Sequence, residues 1–163
     1  MAVFEKITRY LNRGLIFVGG VFLAAMVVLT CANIAARIVW IPIKGTFELM
    51  GFFGAVITAF ALGYTQFVKG HIAVDVLVNR FSSKTQKITG IINCALCCVF
   101  FVMAAWQIAA KATTLWRTGE VTETLRIIYY PFTYAVAVGC AVLALVLVVE
   151  LFKSVLSNKE GDV

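Results

Sequence analysis

The chain has 163 residues, is 62% hydrophobic, carries charge at only 13% of positions and has a formal net charge of +6. A soluble domain of this length cannot hide that much apolar surface, and the mean hydropathy of +0.97 puts the excess against lipid. The positive balance is accounted for by membrane topology and anionic headgroups, so nucleic-acid binding need not be invoked.

Residues 1–13 place Val3, Phe4, Ile7, Tyr10 and Leu11 on one face and Glu5, Lys6, Arg9 and Asn12 on the other. This spacing predicts a short amphipathic helix, either lying at the inner membrane surface or running directly into the first span. A membrane anchor is the simple reading and a docking element the sharper one.

About 20 uninterrupted apolar residues are needed for a helix to cross a hydrocarbon layer about 30 Å thick. Four runs free of Asp, Glu, Lys, Arg and His qualify: those between Arg13 and Arg37, Glu48 and Lys69, Lys87 and Lys111, and Arg126 and Glu150. The predicted fold is an all-α integral membrane domain over 1–163, with spans at about 14–36, 49–68, 88–110 and 127–149 and a tail at 150–163. The first run is too long for a secretory h-region and reads as an uncleaved anchor.

Orientation follows from the basic residues of the short flanking segments. Lys6, Arg9, Arg13, Lys69, Arg80, Lys84, Lys87, Lys153 and Lys159 outnumber Arg37, Lys44, Lys111, Arg117 and Arg126 on the other side. Both termini are therefore expected to be cytoplasmic.

In the first outer connection, Trp40, Pro42 and Gly45 suit an interfacial break, Thr46 is placed to cap the second helix, and Glu48 falls in its first turn. A salt bridge from Glu48 to Arg37 or to a partner is the sharper reading of that carboxylate. The second connection carries Lys69-Gly70-His71-Ile72-Ala73-Val74-Asp75, and Val74, Leu77, Val78 and Phe81 predict a short interfacial helix. His71 and Asp75, four apart, are placed to pair and organise that inner loop. Ser83 and Gln86 form a capping-box pattern before the third span. The third connection has Trp116, Arg117, Gly119, Glu120, Glu123 and Arg126, then Tyr129, Tyr130 and Pro131 in the first turn of the last helix.

Little in this pattern supports chemistry. The spans hold no ionisable side chain of the kind that marks substrate or ion pathways; Thr30 and Asn33 are expected to bond helix to helix. His71 is the sole histidine and cannot supply paired haem ligands. Cys31, Cys94, Cys97, Cys98 and Cys140 all lie inside spans and read as small packing residues, with a redox motif the less natural alternative. No phosphate loop or nucleophile set appears, so no enzyme, cofactor or metal site is expected. The spans do offer packing. Gly51, Ala55, Ala59 and Gly63 recur every four residues, with Gly20 and Ala24 a shorter version, and such grooves either close the chain's own bundle or receive a second protein.

Taken together, the four spans, Arg37 followed by Phe47-Glu48-Leu49, the stretch from Gly63 through Lys69-Gly70-His71-Ile72-Ala73-Val74-Asp75, and Gly119-Glu120 with Thr122, Thr124 and Leu125 resemble the small membrane subunit, DctQ-like, of tripartite ATP-independent periplasmic (TRAP) transporters. The resemblance implies a bacterial inner-membrane complex. A large membrane subunit would carry out sodium-coupled uptake of an organic acid of the C4-dicarboxylate or sialic acid class, delivered by a periplasmic binding protein. The sodium ions would sit on the large subunit, and the small one would scaffold it. On that reading Arg37, Glu48, Gly51, Ala55, Ala59 and Gly63 support partner packing. Arg37, Lys44, Arg117, Glu120 and Glu123 lie near the binding protein or lipid headgroups. On the residues alone, the alternative is an independent four-helix carrier or a membrane redox subunit.

Overall fold

The computed structural model describes residues 2–39, 41–68 and 83–159, with side chains placed for 6–39, 41–68, 85–86 and 88–153. The expected interfacial helix, His71 and Asp75 lie outside the described residues. The described residues form four helices: α1 (Ala2–Val39), α2 (Thr46–Phe67), α3 (Ser83–Thr118) and α4 (Tyr130–Lys159). Each is long and apolar enough to cross a membrane, and the fold is all-α. The helices outrun the charge-free segments because nothing at a membrane boundary stops a helix unless a turn residue does. α1 continues through its charged N-terminal part without a break and reaches about 57 Å at 1.5 Å per residue.

α2 and α4 form the centre of the bundle, with α1 packed on α2 and α3 packed on α4. Residues 41–45 and 119–129 share one end, the loop end; the start of α1 and the end of α4 lie at the other, the termini end. α1 runs antiparallel to α2, with the Thr30 hydroxyl 3.8 Å from the Met50 sulfur toward the loop end. Parallel pairing joins α2 to α4. Phe52 stacks on Phe132 at 4.4 Å, and farther along the Gln66 amide donates to Glu150 at 2.6 Å. Between these contacts Val56, Ala59 and Phe60 gather Leu15, Phe22, Phe132, Ala135 and Val136 around them. The tightest approach is backbone to backbone, where a Cβ added to Gly139 would lie 2.6 Å from the carbonyl oxygen of Ala59. On the other side, Thr113 and Tyr134 share a 2.9 Å hydrogen bond and the Cys94 thiol lies 3.5 Å from the Leu147 carbonyl oxygen, so α3 is antiparallel to α4.

The start of α1 is turned differently from the sequence expectation. Asn12, assigned to the outward polar side, is only 1% exposed, as is Thr8, while Tyr10 is 65% exposed. The Asn12 amide donates to the Thr8 carbonyl oxygen at 2.9 Å, and its own oxygen lies against Gly63. Where lipid borders the helix, apolar side chains lose nothing by facing outward, so small polar groups that bond locally take the inward side.

Candidate functional site

The most organised feature lies at the loop end. Residues 119–129 fold back on themselves. The Thr122 N–H donates to the Ile127 carbonyl oxygen at 2.9 Å, the Ile127 N–H donates to the Thr122 hydroxyl at 3.0 Å, and Val121 bridges Ile128. Positive φ at Gly119 (64°) and Arg126 (54°) allows the reversal within so few residues.

Into this loop projects Glu48, from the first turn of α2. One carboxylate oxygen accepts the Thr124 N–H at 2.8 Å and the other accepts the Leu125 N–H at 3.1 Å. Two successive amides converging on one carboxylate form a small anion-binding concavity, and the positive end of the α2 dipole favours the same charge. Glu48 therefore keeps the first-turn position read from the sequence and joins the α3–α4 connection to α2; of the alternatives for its carboxylate, the salt bridge to Arg37 is not formed, and Arg37 stands exposed in the last turn of α1. Replacing Glu48 with glutamine is expected to speed hydrogen exchange at the Thr124 and Leu125 amides by at least about tenfold, since the charge-assisted bonds are lost. Wild-type protection would show that the loop holds itself.

The first connection meets the same loop. Gly45, at φ 75°, precedes α2, and its missing Cβ leaves the space that the Leu125 side chain occupies. Thr46 does not cap α2 as expected. It is the first helical residue, buried, and its hydroxyl donates back to the Ile43 carbonyl oxygen at 2.8 Å. The cap position needs a left-handed backbone under a bulky neighbour, which glycine supplies and threonine does not. Asn33 serves this connection as well, accepting the Ile43 N–H at 2.8 Å. Lys44, Arg117, Glu120 and Glu123 are all exposed around this end.

The stripe of small residues along α2 divides. Positions four apart advance about 40° beyond a full turn, so Gly51 and Gly63 differ by about 120°. Ala59 and Gly63 face inward, against Gly139 and Asn12, and close the chain's own bundle; Gly51 and Ala55 are exposed. Sequence reasoning missed Asn12, Gly139 and the Gln66–Glu150 bond, because each depends on which face of one helix meets another. For the Glu48 clamp a signal did exist. Phe47-Glu48-Leu49 and the segment from Gly119 to Leu125 were both prominent, and the structure brings them together.

Four helices long and apolar enough to cross a membrane, with the connections at one end tied together through Glu48, define a membrane-embedded component. Among its described residues no group of three or more His, Cys, Asp or Glu is placed to hold a metal ion. Residues 26–157 match the family model described as tripartite ATP-independent periplasmic transporters, DctQ component. No curated protein matches the chain. With most of its length covered, the chain belongs to the DctQ family, a family of transporter components, and is a small membrane subunit of the TRAP type.

Proposed function

We propose that this subunit scaffolds a large membrane subunit during sodium-coupled uptake of an organic acid, of the C4-dicarboxylate or sialic acid class, handed over by a periplasmic binding protein. It would reside in the bacterial inner membrane with both termini cytoplasmic, have no enzymatic activity and bind no cofactor, with the sodium sites on the large subunit. The observation that carries this reading is the absence of charge through the middle of every span. An anionic solute and its coupling cation need polar or charged partners at that depth, and a companion chain must supply them. The Gly51–Ala55 half of the α2 stripe, exposed among the described residues, is the face assigned to a partner helix.

Reconstitution tests the division of labour. Vesicles containing this chain with its large subunit and binding protein should accumulate a radiolabelled organic acid under a sodium gradient, and vesicles containing the chain alone should not. Accumulation by the chain alone would overturn the reading. Ala55→Leu should lower recovery of the large subunit in co-purification several-fold while the variant chain itself stays folded; unchanged recovery removes this face from the interface. Charge reversal at Glu120 and Glu123 should reduce uptake with assembly intact, and wild-type uptake would make those carboxylates bystanders. His71 and Asp75 are retained as proposed organisers of the inner loop.

A further inference from the structure

Among the described residues, one face of α1 is left exposed along its length. Leu15, Gly19, Phe22 and Thr30 look into the bundle, Gly19 lying 3.6 Å from Phe60 by its Cβ position. At 100° per residue, Lys6, Arg13, Phe17, Gly20 and Ala24 fall within about 40° of one line on the opposite side, and all are exposed. The polarity of this line changes once. Its cations stop at Arg13, and the next 23 positions, 14–36, contain no charge.

Arg9 flanks the line and is already positioned. Its guanidinium carbon lies 5.8 Å from the ring centroid of Phe67, the last residue of α2, so the cation leans across the α1–α2 seam. Lys6 and Arg13 stand about 10 Å apart along the axis, with Arg9 between them. Farther along, Gly20 has nothing within 4 Å of its Cβ position and Phe17, 73% exposed, stands beside it, leaving a shallow apolar seat in continuation of the cations.

We propose that this face binds an anionic phospholipid of the leaflet at the termini end, its phosphate held by Lys6, Arg9 and Arg13 and an acyl chain lying over Phe17 and Gly20. Charge complementarity selects this occupant. A phospholipid presents negative charge at headgroup depth and hydrocarbon directly beneath it, the profile of this face in the same order and direction. Arginine suits phosphate through its fork of donors, and a guanidinium already held over Phe67 loses less freedom on binding.

The full-length chain, purified in detergent and titrated with phosphatidylglycerol or phosphatidylcholine of identical acyl chains, reads out the proposal by native mass spectrometry. Phosphatidylglycerol should be retained over phosphatidylcholine, and Lys6→Gln with Arg13→Gln should remove that preference by about fivefold per charge. Arg9→Gln should weaken it alone, whereas Lys111→Gln with Arg117→Gln, at the loop end, should leave it intact. Equal retention of the two lipids by the wild type, or undiminished phosphatidylglycerol in the double variant, overturns the proposal. So does a photo-crosslinker at position 13 that joins the large subunit in the assembled complex with phosphatidylglycerol displaced, which would assign the face to protein.

Discussion

Replacing Gly139 with alanine is expected to destabilise the isolated chain by roughly 1–3 kcal/mol, the range of an overpacked core, and toward its upper end. The added methyl would lie 2.6 Å from the Ala59 carbonyl oxygen, 2.7 Å from its carbonyl carbon and 2.8 Å from its Cβ. Two of those atoms are backbone, so no rotamer change relieves the contact and α2 must move away from α4. That motion would also loosen the Phe52–Phe132 stack and the Gln66–Glu150 bond, which bracket the contact on the same helix pair. Unfolding in mixed micelles of rising SDS fraction measures the effect. Gly51→Ala is the control, because nothing lies within 4 Å of its Cβ position and alanine is the better helix former. Gly63→Ala should fall between the two, since its nearest obstacle is the end of the Asn12 side chain. Equal midpoints for Gly139→Ala and Gly51→Ala would show that the central pair is not held by close backbone approach.

Gly45→Ala should act at the loop end. A side chain at φ 75° carries a left-handed cost of roughly 1–2 kcal/mol, and displacing Leu125 adds about 1–3 kcal/mol more. Gly119, at φ 64° with open space around its Cβ position, has only the first cost. The pair separates the two contributions. In Gly45→Ala, Leu125 is pushed off its seat and should take the Glu48 clamp with it, so amides 122–127 lose hydrogen-exchange protection and the connection becomes sensitive to protease. Gly119→Ala should show a smaller loss. If both behave alike, Leu125 is not seated on Gly45 in solution.

The four helices were legible because lipid leaves the backbone no other partners, which makes a long charge-free run sufficient evidence for a spanning helix. The ends were less legible. The run beginning at Ile127 looks helical from its first residue, yet α4 starts at Tyr130, since Ile127 and Ile128 are taken up in pairing with Thr122 and Val121. Glu48 was recognisable as a first-turn carboxylate; that its partners are backbone amides more than 70 positions away was not, because amides carry no residue signature. The α2 stripe was visible as a pattern, but spacing alone does not say where a winding line of small residues passes from the bundle's interior to its surface.

Parallel pairing of the second helix with the fourth constrains the order of assembly during synthesis. When the first three segments have entered the membrane, Ala59 and Val56 still lack the neighbours that α4 supplies, and Glu48 waits for a loop not yet made. The bundle therefore closes only when the last segment arrives, and a nascent chain halted before Tyr130 would hold α1 packed on α2, with little to tie α3 to either and the central seam open to lipid or to the insertion machinery.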